Sequence, residues 1–225
     1  MSGLRLNLAA AVAAAGAFAV VAVLVVSGAL SGLDQYAVDH WMVDVQPSAP
    51  SSALGAIQFY PRFGSALHTF FDFWTYPASP VFSTAVLAAA CVVLYRRGAR
   101  SAALAWPFAW VAANSIELLG KSVLERPSLH FGRAPLYSFD NSFPSGHTVR
   151  ALLVTVVLAS LWRRVGIAAV AWALVTLPML VVNANHTPSD VLGGAVLATA
   201  LVFAVRAWLA RAAPVGLAYA PAASR

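Results

Sequence analysis

Two short runs hold most of the side chains in this sequence that could seat an anion or move a proton. The first is Asp140 to Arg150, Asp-Asn-Ser-Phe-Pro-Ser-Gly-His-Thr-Val-Arg. Pro144 lacks a backbone donor and Gly146 bends where other residues cannot. Phe143 to His147 therefore reads as a tight turn feeding the first turn of a helix. The free N–H groups of a helix start, with the positive end of the helix dipole, make an anion seat. The Ser145 hydroxyl and the His147 imidazole sit on its rim. The plain alternative is a helix start with an incidental histidine.

The second run is His186-Thr187-Pro188-Ser189-Asp190. Thr187 suits an N-cap, Pro188 the first helical position and Asp190 the third. On structural grounds alone, Thr187 and Asp190 resemble a capping box. The same geometry returns Asp190 toward His186. A carboxylate held on one imidazole nitrogen fixes the tautomer and leaves the other nitrogen free to attack. A zinc site on the two histidines and the aspartate is the weaker reading, because the glycine-turn seat would then have no purpose.

A third group centres on Lys121, the only lysine in the chain. Asn114, Glu117 and Lys121 are spaced to share one helical face. Ionisable residues at membrane depth usually face a bundle interior or polar cavity. The alternative is a Glu117–Lys121 pair with the lysine reaching for the interface. Arg126-Pro127 follows closely.

The elements that must position these groups are membrane helices. Hydrophobic residues make up 60% of the chain and charged residues 10%, against about 25% charged in soluble domains. The net charge of +6 is almost all arginine and clusters between apolar runs. That is a topology signal, with no nucleic-acid partner implied. The one cysteine, Cys91, lies in an apolar run, which excludes a disulfide framework. Six spans are expected, near 7–30, 79–95, 102–119, 147–162, 167–182 and 191–208, each approaching the roughly 20 residues a bilayer needs. Ser27-Gly28-Ala29 would permit signal cleavage after the first. The stretch 54–76 is apolar but carries Pro61, Arg62, His68 and Asp72, and suits a helix lying in the interface. The fold class is thus all-α, a polytopic bundle of about six transmembrane helices plus an interfacial one, with no internal repeat.

Arginine sorting sets the expected orientation. Arg5, the 96–100 cluster, Arg163-Arg164, Arg206 and Arg211 fall on one side of a six-span chain, and the positive-inside rule makes that side cytoplasmic. Segments 32–77, 125–145 and 183–189 then lie outside. The division expected is a first span at 1–31, an extracytoplasmic segment at 32–77, a five-span core at 78–211 and a cytoplasmic tail at 212–225. The protein is placed in the plasma membrane as a multi-pass protein.

Lys121 with Arg126-Pro127, then Pro144-Ser145-Gly146-His147, then His186-x-x-x-Asp190 resembles, in order, the motifs of the type 2 phosphatidic acid phosphatase superfamily, in its membrane lipid phosphatase branch. The likeness covers roughly residues 80 to 205. It implies a lipid phosphatase that needs no metal or other cofactor, with a lipid phosphate and the bilayer as partners. The candidates are polyprenyl mono- or diphosphate, phosphatidic acid and phosphatidylglycerol phosphate; the oligomeric state stays open. His186 would be the nucleophile that becomes phosphohistidine, Asp190 its orienting base, and His147 the acid for the leaving oxygen. Lys121, Arg126, Ser145 and the Gly146 amide would hold phosphate oxygens. Transfer to an acceptor other than water, or mere binding of phospholipid heads, are the rival readings. Two departures stand out. In the family's register the first-motif Arg-Pro would fall on Ser128-Leu129, so Arg126-Pro127 comes two residues early. The third-motif Ser-Arg is replaced by Met179-Leu180. Arg150, three residues after His147, is expected to take over the missing phosphate contact; the alternatives are that it pairs with Glu117 or Asp140, or snorkels to headgroups.

Overall fold

The structure is a computed structural model that describes residues 2–43, 45 and 65–212. Among these residues it contains eight α-helices: α1 (Ser2–Val26), α2 (Ser31–His40), α3 (Ala66–Thr75), α4 (Pro80–Arg96), α5 (Arg100–Val123), α6 (Gly146–Leu161), α7 (Arg163–Val182) and α8 (Pro188–Ala212). The loop after α5 carries one two-residue antiparallel pairing, His130–Phe131 (β1) with Ala134–Pro135 (β2). The fold is an all-α helical bundle, as the composition requires. Segments α1, Ala66–Arg96, α5, α7 and α8 are long and apolar enough to cross a membrane.

α6 is the exception among the six expected spans. At 16 residues it reaches only about 24 Å, short of the roughly 30 Å hydrocarbon core. It is also the most enclosed helix, packing against α4, α5, α7 and α8. Val149, Leu153, Val157 and Leu161 stack into the main core with Leu87, Leu94, Trp106, Trp110 and Leu197. Those four helices surround α6, so it is enclosed by protein and its length need not match the bilayer.

Three boundaries differ from the sequence expectation. The first helix ends at Val26, because Gly28 turns the chain in the left-handed region at φ +76°. An amphipathic helix, α2, then follows where the sequence showed only a mixed segment. Of the stretch 54–76 read as an interfacial helix, residues 66–75 form α3, which belongs with α4 to one long apolar stretch, Ala66–Arg96; the part before residue 65 lies outside the described residues, as do Pro61, Arg62 and the tail after Ala212. A single turn at Tyr76–Ala78 joins α3 to α4.

The helix starts are chemically specified. The hydroxyls of Ser65, Ser79 and Ser145 accept from the amides of His68, Phe82 and Thr148 at the starts of α3, α4 and α6. Small residues then let the elements close up. An added β-carbon at Gly120 would stand 2.7 Å from Pro144, at Gly193 2.2 Å from the Phe143 ring, and at Gly194 2.5 Å from the Ser145 carbonyl oxygen. The turn before α6 is therefore wedged between α5 and α8. The exposed arginines Arg5, Arg96, Arg97, Arg163, Arg164, Arg206 and Arg211 lie at the opposite end of the bundle, where Arg97 donates to the Leu161 carbonyl at 3.0 Å.

Gly194→Ala should destabilise the protein by about 1–3 kcal/mol, the usual range for overpacking, because the atom it meets is backbone. Thermal unfolding in detergent measures this. Gly3→Ala, which meets nothing within 4 Å, serves as the comparison and should leave the midpoint where it is.

Candidate active site

At one end of the bundle the chain buries three cations, two imidazoles and at least four carboxylates, Asp72 among them at 0% exposed. Lys121, Arg126, Arg150, Asp34, Glu117, Asp190, His147 and His186 are each no more than 5% exposed. Groups so placed must find partners, since an isolated charge in a low-dielectric interior is very costly.

His186 sits between α7 and α8. α7 closes with Ala184 in the left-handed region at φ 53°, and the amides of Asn185 and His186 both donate to the Leu180 carbonyl at 3.1 Å. Leu180, at the position of the family's arginine, is a fully buried core residue whose backbone pins the histidine. The side chains of Asn183 and Asn185 donate to Asp72 Oδ1 of α3, at 2.6 and 3.2 Å, and strap the loop to that helix. Asp72 gave no sign of this role in the sequence.

Asp190 has the capping-box geometry. The Thr187 amide donates to its Oδ2 at 2.9 Å, and its own amide donates to Thr187 Oγ1 at 3.3 Å. The same Oδ2 accepts from Ser142 Oγ at 2.6 Å and lies 3.6 Å from His186 Nδ1. That last separation exceeds a hydrogen bond by about half an ångström, a looseness that such pairs lose when a reacting complex forms. Burial holds the His186 imidazole below the ordinary histidine value despite the neighbouring carboxylate, and the Lys121 charge acts in the same direction. With Nδ1 turned to Asp190, its other nitrogen, Nε2, is the one left to react. The His147 ring faces it with centroids 6.0 Å apart.

Ser145 ties the first turn of α6 to α8. Its amide donates to the Asp190 carbonyl at 3.1 Å, and its hydroxyl accepts from the Thr148 amide and hydroxyl at 3.3 and 3.0 Å. Its hydroxyl oxygen thus caps the helix.

The two arginines expected at the phosphate are bonded here to carboxylates of the chain itself. Arg126 faces inward: Nη1 donates to Thr187 Oγ1 at 2.8 Å, and Nη2 donates to Asp34 Oδ2 at 2.9 Å and to the Ser189 hydroxyl. Asp34 in turn accepts from the Ser189 amide at 3.0 Å and the Ser189 hydroxyl at 2.7 Å. Arg126 is thus clamped between α2 and the start of α8, with Pro127 against Gly28. The two-residue shift of the Arg-Pro pair accompanies this inward placement. Arg150 likewise does not reach out. Its Nε donates to the Ala78 carbonyl at 2.8 Å, and Nη1 bonds Asn114 Oδ1 at 3.1 Å and Glu117. The alternative of pairing with Glu117 is the one realised. Asp140 accepts from Ser128 at 3.0 Å instead.

Lys121 lies 3.6 Å from Glu117, so the shared face of Asn114, Glu117 and Lys121 meets Arg150. The Glu117 carboxylate rests against Gly146: its atoms lie 2.0 Å from where a β-carbon would stand. Asp34 is the residue that sequence reasoning missed entirely. It is 92 positions from Arg126, and its only signal was an acidic residue in a largely apolar chain. Among the described residues no three His, Cys, Asp or Glu side chains gather as metal ligands would.

This order of groups matches a known pattern. The model of the PAP2 superfamily matches residues 119–214. Over that stretch the chain resembles the PAP2 superfamily. The match runs from the last turn of α5 past the end of α8 and takes in Lys121, both histidines and Asp190. Together with the long apolar helices, it supports a membrane protein of a phosphatase-type superfamily. No curated protein and no solved structure matches the chain. Asp34, Asp72, Asn114 and Glu117 lie outside the PAP2 stretch, although they hold its loops and cations.

Removing the partner of a buried charge costs about 3–5 kcal/mol. Asp34→Ala should therefore destabilise the protein by up to about that amount, leaving buried Arg126 with Asp190, 3.7 Å away, as its one remaining carboxylate partner among the described residues. Equilibrium unfolding in a mild denaturing detergent series measures it. A loss below about 1 kcal/mol would mean that Arg126 finds another partner or reaches water.

Proposed function

We propose that the protein is an integral-membrane phosphatase that hydrolyses a lipid-linked phosphate or diphosphate through a phosphohistidine on His186. The observation that carries this reading is the juxtaposition of three groups: His186 with Nδ1 toward Asp190, the His147 ring facing it, and Lys121 3.6 Å from Glu117, whose carboxylate covers Gly146 at the start of α6.

The chemistry follows from the placement. The lone pair of His186 Nε2 attacks phosphorus, and the bond from phosphorus to the lipid oxygen breaks. The leaving oxygen takes a proton from His147. Asp190 stabilises the positive charge that develops on the His186 ring. Water then attacks the phosphohistidine, gives a proton to His147 and releases inorganic phosphate, which restores His186. Lys121, the Gly146 amide and the α6 dipole favour the charge gathered on the equatorial oxygens. These steps need positioning and charge stabilisation more than covalent help from the protein.

The arginine-bearing end of the bundle supports a cytoplasmic assignment for that end. The site then opens at the extracytoplasmic face of a plasma membrane, and the lipid head enters sideways from the bilayer.

Purified protein in detergent containing EDTA should release phosphate from at least one member of a panel of polyprenyl and glycerolipid phosphates. His186→Ala should reduce the rate at least about 10³-fold, as loss of a covalent nucleophile does. Because His186 is held below the ordinary value, it stays neutral down through pH 7. The acid limb of kcat/KM assigned to the nucleophile should lie below about 6.5, the ordinary histidine value. An unchanged rate in His186→Ala sinks the mechanism. Orientation is read separately, in a Cys91→Ser background. A cysteine at exposed Ser138 should react with an impermeant reagent on intact cells, and one at exposed Gly98 should not; the opposite labelling places the site in the cytoplasm.

A further inference from the structure

The Glu117 carboxylate stands among the groups that the phosphatase reading assigns to the substrate's phosphate. It is bonded to Arg150, lies 3.6 Å from Lys121 Nζ, and occupies the space beside Gly146 where a side chain would begin. It is 3% exposed. Three of the five candidate phosphate ligands thus surround one protein carboxylate. A fourth, Arg126, is held by Asp34.

We infer that Glu117 is a resident anion of the phosphate seat: it holds Lys121 and Arg150 in place and competes with the substrate's phosphoryl oxygens for both. This rests on the phosphatase reading. The argument is one of charge and space. A phosphoryl group brings negative charge to the same two cations, and a like charge at 4–6 Å opposes it by a factor of ten or more. Glu117 must therefore swing away, or its charge must be tolerated, before the phosphate seats fully. Gly146 allows this, since nothing but the carboxylate stands over its α-carbon. Asn114 gives Arg150 a second acceptor at 3.1 Å, and the Ala78 carbonyl a third at 2.8 Å. The guanidinium thus keeps its position when Glu117 withdraws. Glu117 acts as a determinant of affinity; it need not touch the reacting atoms.

The consequence is unusual for a buried partner of two cations. Its removal tightens phosphate binding. Glu117→Gln keeps the shape and removes the charge. Inorganic phosphate is the probe, with binding read by the shift in thermal midpoint and by calorimetry. In the His186→Ala background, Glu117→Gln should lower the phosphate dissociation constant roughly tenfold or more, the size of one like charge at this range. In the otherwise native enzyme, KM for the lipid phosphate should fall with it, while kcat stays level or drops as product leaves more slowly. A purely structural Glu117 would instead raise KM and weaken phosphate. If Glu117→Gln is too unstable to purify, Glu117→Asp withdraws the carboxylate from Gly146 by one methylene and should shift both constants the same way by less. Unchanged or weaker phosphate binding in the substituted proteins, with saturable binding by the native one, overturns the inference and spares the phosphatase reading. No saturable phosphate binding and no turnover in the native protein overturns both.

Discussion

The arrangement depends on one constraint: charges buried at a membrane end must be balanced where they lie. Lys121, Arg126 and Arg150 face Asp34, Glu117 and Asp190 with little water to screen them, while a fourth buried carboxylate, Asp72, is held by the Asn183 and Asn185 side-chain amides. Each pairing draws in an element the others do not. Asp34 brings α2 down on the α8 start, Glu117 joins α5 to α6, and Asp190 fixes the loop that holds His186. The site is thus assembled by neutralisation. No single helix contributes more than two of its charges, so none of the loops can leave without stranding a charge.

Packing sets how closely these charges can approach. Gly120, Gly193 and Gly194 remove side chains where the turn before α6 passes between α5 and α8. The Phe143 ring fills the space over Gly193 and stacks on Phe18 of α1 at 5.7 Å. The turn is thereby held by apolar contact on one side and by the Ser145 amide on the Asp190 carbonyl on the other. The apolar half of the motif fixes the position of its polar half.

Much of this was legible in the sequence, and the rest was not for identifiable reasons. Charge-poor apolar runs between arginine clusters identify the helices, because a bilayer allows few other solutions. The His147 and His186–Asp190 runs identify their own local geometry, since turns and caps are set by neighbours in the chain. The partner of Arg126 was not foreseen because its side chain is long and Asp34 lies 92 residues away; for Arg150 the pairing with Glu117, 33 residues away, was one of several alternatives that sequence alone does not choose among. An arginine's position in a motif says where its α-carbon is, not which carboxylate its guanidinium will find. The short α6 was read as an ordinary span because burial by other helices and burial by lipid look alike in composition.

At Asp190 the capping geometry and the approach to His186 are compatible, and one rotamer serves both. A capping-box carboxylate points back over the start of its own helix to reach the N-cap amide. The residue just before the N-cap is His186, so the same swing sets the carboxylate beside the imidazole. One oxygen, Oδ2, accepts from the Thr187 amide and from Ser142, and faces His186 Nδ1. Those two hydrogen bonds lock the rotamer that the histidine requires. The cap is therefore the means by which the carboxylate is positioned, and Arg126, 3.7 Å from Oδ1, favours its charged form from the other side. In the phosphatase we propose, the carboxylate that orients His186 is supplied by the helix cap itself.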